Sequence, residues 1–327
     1  MKALAGLITA GLGLAAAMAL SIPAHSQGKQ LAQANAALQA GETDKALALL
    51  EPLTQPEGEA EAYNLRCRVE YTLEEWDRAA NDCEQAVKLD GQSSDDHMWL
   101  ARALGQKASK ATFLSAFSLA KRARTEFEEA VRLNPRNAGA LADLGEFYYS
   151  APGVVGGGIS KSETVAAELD KIDPARAHEL RGRIAEQHKD YDTAEREYKL
   201  SIASSGHPAR QWMALASFYR GRERWTEMES AVRSGESAAQ RDGQSGVALF
   251  NGASLLRETG RDPARAARML ESYLASSAKT EEGPAFVAHV WLAQLKEQLG
   301  DAAAAKRERA AALALAHEYK PAQDLKY

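Results

Sequence analysis

The residues whose types and spacing come nearest to chemistry lie in APGVVGGGISKS, residues 151–162. Glycines, a lysine and a serine ahead of a helix are the parts of a loop that cradles phosphate with backbone amides, and such a loop reads G-x-x-x-x-G-K-[ST]. Gly153 and Gly158 keep its glycine separation, but Ile159 and Ser160 stand in the Lys and Ser/Thr places, and Lys161 and Ser162 come two residues late. The preceding LADLGEFYYS has helical spacing where a buried strand is required. The stretch therefore reads as a turn. Pro152 ends one helix, the glycines take a tight path, and the next helix begins near Ser160.

Other constellations are weaker still. The seven histidines, His25, His97, His178, His188, His207, His289 and His317, form no H-E-x-x-H pair, and none lies at zinc-ligand spacing from a cysteine. There is no G-x-S-x-G elbow, and adjacent carboxylates such as Glu128 and Glu129 read as a solvated helix face. The expectation is a protein that is not an enzyme, with no metal and no cofactor.

The elements that position these residues begin after a leader. Lys2 precedes a nearly uncharged run from Ala3 to Ile22, Pro23 breaks it, and Ala24-His25-Ser26 supplies the small residues of a peptidase site. This predicts a signal peptide over 1–26, cut between Ser26 and Gln27, and a periplasmic or secreted product. An uncleaved anchor is the alternative, because the run approaches the roughly 20 residues that span a bilayer. The net charge of −5 comes from both signs mixed throughout, with no basic stripe of the kind nucleic acid requires. No later segment is apolar enough to cross a membrane.

The rest of the chain carries three- and four-residue apolar spacing and almost no alternating strand signal. It also repeats. Leu141, Leu144, Gly145 and Tyr148 fit W-x2-L-G-x2-Y with Leu for Trp, and Trp212, Leu215, Ala216 and Tyr219 repeat the spacing. The second half of the pattern, A-x3-F followed by proline, appears as Ala123, Phe127 and Pro135, again as Ala194 and Tyr198, and as Ala79 and Cys83. Weaker copies involve Ala46 with Leu50, Gly252 with Leu270, and Leu292, Ala293 with Ala305. These residues resemble the tetratricopeptide repeat, a helix–turn–helix unit of about 34 residues, as found in exported bacterial proteins.

The resemblance covers 28–317 as about seven or eight units and implies an all-α fold, a right-handed superhelical solenoid of antiparallel helix pairs. Insertions near 105–120 and 150–160 interrupt the period, and 318–327 remains as a C-terminal tail. Trp76, Tyr191, Trp212 and Trp225 fall at packing positions. Cys67 and Cys83 take facing places on the two helices of one unit, so a disulfide is expected, with two buried free thiols as the alternative.

Arrays of this kind bind on their concave face. The register puts Arg176, Arg183, Arg210, Met213, Arg220, Leu249 and Arg257 on or near it, with Tyr149 and Leu256 among them. Arginines there favour acidic or carboxylate-bearing partners. The implied function is a scaffold holding a peptide or protein in its groove, with a small-ligand carrier beside a transporter as the alternative. Neither nucleic acid nor a stable membrane span is expected.

Overall fold

The computed structural model describes residues 24–55 and 58–326. Most of the predicted leader lies outside these residues, and its last three, Ala24 to Ser26, form the first turn of α1.

Every long element is a helix, and the helices pair in chain order. α1 (Ala24–Ala40) packs on α2 (Thr43–Leu50), α3 (Ala60–Thr72) on α4 (Trp76–Leu89), and α5 (Ser94–Lys110) on α6 (Phe113–Leu133). α7 (Ala138–Ser150) pairs with α8 (Ile159–Asp170), α9 (Pro174–Gln187) with α10 (Tyr191–Ala203), and α11 (Ala209–Gly221) with α12 (Trp225–Arg241). α13 (Gly246–Glu258) with α14 (Pro263–Ala275) and α15 (Ala285–Gln298) with α16 (Ala302–Leu315) complete the series. The tail docks: a short α17 (Lys320–Gln323) follows Tyr319, whose buried ring meets Phe286 edge-on at 4.8 Å.

Small residues set the helix separation, as the pattern requires. A Cβ on Gly252 would lie 2.4 Å from the Met269 side chain, and one on Gly182 would lie 3.2 Å from the ring of Tyr198. Within most units the first helix ends in a left-handed residue whose successor donates its amide to a carbonyl five residues back. Examples are Glu75 N to Glu70 O, Asp190 N to Ala185 O and Arg224 N to Tyr219 O. Glu74, Lys189 and Glu223 hold the positive φ in those turns without being glycine. Asp173, Asp190, Asp262 and Asp301 then cap the helices that follow, each accepting the amide three residues on.

Three histidines staple their pairs in the same way. His97 Nδ1 lies 2.6 Å from Glu126, His178 Nδ1 2.8 Å from Glu197, and His289 Nδ1 2.6 Å from Glu308, each from a first helix to its second. Cys67 and Cys83 are joined across α3 and α4, both fully buried, with Cα atoms 5.4 Å apart.

The glycine-rich stretch is a turn. Gly157 N reaches Pro152 O at 3.2 Å and Gly158 N reaches Tyr148 O at 2.8 Å, while a Cβ on Gly157 would strike Ala151 O. Ser162 closes it by donating to Gly145 O at 2.8 Å.

The array comes round until its last unit touches its first. Thr43 Oγ1 donates to Leu315 O, His317 N donates to Asp44, and the Ser276–Pro284 connection sends Glu281 to Arg68 Nη2 at 2.6 Å. At this seam Gly41, with φ +76°, leaves no room for a side chain against Ala285 N.

Glu70 lies beside the seam, 8% exposed, with Oε2 lacking a hydrogen-bond partner. Burial and the neighbouring Asp82 carboxylate push its pKa up to about 8. The folded chain therefore keeps this proton while the unfolded chain gives it up near the ordinary 4.5. Stability falls as pH rises from about 4.5 to 8 and changes no further above that. Glu70→Gln should remove this slope, raising stability at pH 8 by on the order of 4 kcal/mol and leaving it nearly unchanged at pH 4.5. Parallel thermal melts of parent and variant check it; equal pH slopes would refute the burial argument.

Candidate functional site: the inner groove

The first helices each turn one stripe of side chains toward a shared inner surface. On α9 the stripe is Arg176, Glu179 and Arg183; on α11 it is Arg210, Met213, Ser217 and Arg220; on α13 it is Asn251, Ser254, Leu255 and Glu258. Steps of three and four residues keep such a stripe on one face of a helix.

Five of the seven residues expected in the groove, Arg176, Arg183, Arg210, Met213 and Arg220, line this surface. Leu249 does not. It precedes Asn251 by two residues, about 200° round the helix, and is buried in the core. Leu256, about 100° round the helix from Leu255, is buried in the core as well. Arg257 turns away onto the next first helix, its guanidinium 4.6 Å from the centre of the Trp291 ring. Tyr191, Trp212 and Trp225 pack against the core, and Trp76 meets Tyr71 edge-on.

Most of the arginines have a carboxylate of their own. Arg176 pairs with Asp173 at 3.2 Å, Arg183 with Glu179 at 3.2 Å, and Arg220 with Glu258. Burial works against the charge of Arg183, but Glu179 outweighs it and the guanidinium is held protonated, with its pKa raised. Tyr149 beside it is pushed up to about 12, chiefly by burial. Of the four arginines that line this surface, Arg210 alone has no ion pair among the described residues, and it lines three adjoining hollows.

A second part of the groove left no mark in the register. Between α3, α5 and α7 lies a cavity of about 600 Å³ walled by Tyr71, Trp99, Phe127 and Phe147. Arg102 crosses it, 4.5 Å above the Trp99 ring and held by Asp143 at 2.5 Å. Glu281 and Glu282 reach into it from the α14–α15 connection, and Glu146 adds a further carboxylate from α7. The groove is thus aromatic with an acidic fringe near α5 and α7, and polar where Arg183, Arg210 and Arg220 face Glu179 and Glu258. Among the described residues no group of His, Cys, Asp or Glu is arranged to hold a metal ion.

This arrangement of helix pairs can be set against known proteins. Residues 31–97 match the family profile described as Tetratricopeptide repeat. A thermophilic TPR protein from Thermus thermophilus superposes with a TM-score of 0.50 at 18% identity, covering 59% of this chain and 98% of that one. The fold is a tetratricopeptide-repeat array. The pilF protein of Pseudomonas aeruginosa is also similar, at 17% identity over 77% of this chain and 97% of that one, with a TM-score of 0.41. The C-terminal part of a TPR repeat-containing protein from Cytophaga hutchinsonii is similar at 14% identity, 77% and 97% coverage, and a TM-score of 0.42. No curated protein matches this sequence.

Proposed function

We propose that this repeat array is an exported, non-catalytic scaffold that holds an extended, carboxylate-bearing peptide or protein segment in its inner groove. The observation that carries the reading is Arg210: a cation on the groove surface, without an ion pair among the described residues, between Arg183 and Arg220. A partner carboxylate placed there gains a charge-assisted bidentate contact and displaces no internal pair. The leader pattern and the Cys67–Cys83 bond support export to an oxidising compartment. Among the described residues no helix is long and apolar enough to cross a membrane.

The double variant Arg183→Gln/Arg220→Gln should weaken partner capture by about 10- to 100-fold. It leaves Glu179 and Glu258 without their arginines, so the melting temperature should fall by a few degrees while the helical signal stays that of the parent. Crosslinking in the native envelope, read residue by residue, provides the measurement, with crosslinks expected on α9, α11 and α13. Undiminished capture by a folded double variant would end the groove reading. The aromatic-walled cavity favours a second reading, a small-ligand carrier beside a transporter, because its volume falls in the range of ordinary ligand sites. Native mass spectrometry of the purified protein separates the two: a copurifying small molecule supports the carrier.

A further inference from the structure

The insertion in the third unit lengthens both of its helices. α6 has 21 residues and α5 has 17, against 13 or 14 in most helices of the array, so the hairpin end projects roughly 6–12 Å beyond its neighbours. At that end Phe113 is 86% exposed and Leu114 81%, the two most exposed large apolar side chains among the described residues, with Phe117 half-buried one turn away. No carboxylate occurs from His97 to Thr125, whereas Arg102, Lys107, Lys110, Lys121, Arg122 and Arg124 all fall in that span. Lys110 and Lys121 are exposed and have no ion pair among the described residues, and Lys121 Nζ sits 4.4 Å from the Phe117 ring centre.

We propose that this hairpin end is a docking tip for an anionic lipid surface, with Phe113 and Leu114 entering the acyl boundary and Lys110 and Lys121 resting among the headgroups. The shape and area select a bilayer over a protein. Two exposed side chains and part of a third offer on the order of 400 Å² of apolar surface, about half of what one side of a stable protein interface contributes. Phe113 and Leu114 stand at the projecting end of the hairpin, beyond the residues Gln106, Ala108 and Ala120 by which this hairpin lines the aromatic-walled cavity. A fluid bilayer needs no complementary shape, and each cation near an anionic leaflet adds roughly fivefold to the affinity. Phenylalanine and leucine beside lysine is the composition of interfacial anchors.

The test is sedimentation of the processed protein recovered from its own cells with vesicles of pure phosphatidylcholine or of phosphatidylcholine with about 30% phosphatidylglycerol, an anionic surface of the kind such tips recognise. Binding is expected to the anionic vesicles only, and to fall steeply at about 0.5 M salt, where the Debye length shrinks below the span of the tip. Phe113→Ser/Leu114→Ser should reduce it at least about tenfold, and Lys110→Gln/Lys121→Gln several-fold. Both pairs are exposed, and an unchanged melt verifies the fold. Equal binding to the two vesicle types, or anionic binding that survives both double variants, would overturn the proposal. So would capture of an acidic protein through these four residues with no vesicle binding.

Discussion

Tyr198→Ala should cost about 4 kcal/mol and split the melting transition of the array in two. Tyr198 is 2% exposed on α10 and fills the space between two successive units. Its ring lies against Gly182 of α9 on one side and Phe218 of α11 on the other, at 5.5 Å between centroids, and its hydroxyl donates to Glu186 at 2.5 Å. In a repeat array each unit is stabilised by its own pairing and by contact with its neighbours, so loss of one large contact both destabilises and uncouples. The apolar core is already divided near this point: Ile184 belongs to the cluster running back to Met98, and Ala185 to the one running on to Leu295. Calorimetry of the variant should therefore show a shoulder below the main transition. Tyr198→Phe keeps the ring and loses one hydrogen bond, leaving the Glu186 carboxylate short of a donor, and should cost about 1 kcal/mol without a shoulder. A single transition near the parent temperature for Tyr198→Ala would mean that the two halves are coupled elsewhere, through the seam.

That seam marks where reading the sequence stops. The helix pairs were legible because close approach demands small residues at fixed spacing, and Gly145, Ala216 and Gly252 supply them. The contact of Arg68 with Glu281 joins residues 213 positions apart, and no periodicity records such a pairing. The left-handed turns at Glu74, Lys189 and Glu223 were equally silent, since the residue that usually marks them, glycine, is absent there. In the groove, a stripe is one face of a helix, and neighbouring positions differ by about 100°. A register two positions off for α13 was enough to place Leu249 in the groove in expectation and in the core in fact, while Arg210 and Arg220 on α11 lie where the pattern put them. The scattered histidines spoke against metal chemistry but gave no sign of their role, because His97, His178 and His289 each meet a glutamate 19 or 29 residues away on the paired helix.

Removing the disulfide is expected to cause the next largest loss of stability. Cys67 and Cys83, 16 positions apart, close a loop that in the chain-entropy description stabilises the fold by about 3 kcal/mol. Both sulfur-bearing residues are fully buried among Ala79, Leu100, Ala103 and Leu104, where the second unit meets the third. Cys67→Ala/Cys83→Ala avoids burying a hydroxyl, so it isolates the crosslink plus a small void. The variant should melt about 6–12 °C below the oxidised parent. Because the bond is buried, reductant added to folded protein should act slowly, at the rate at which the α3–α4 pair opens. Chain made in a reducing cytosol should melt near the double variant and recover the parent temperature once oxidised. Identical melts for oxidised parent, reduced parent and variant would show that the crosslink is energetically idle, and would remove the disulfide as an argument for an oxidising compartment. A drop confined to the reduced form would instead tie the stability of the second and third units, and with them the wall of the aromatic cavity at Tyr71 and Trp99, to the redox state of the space in which the protein works.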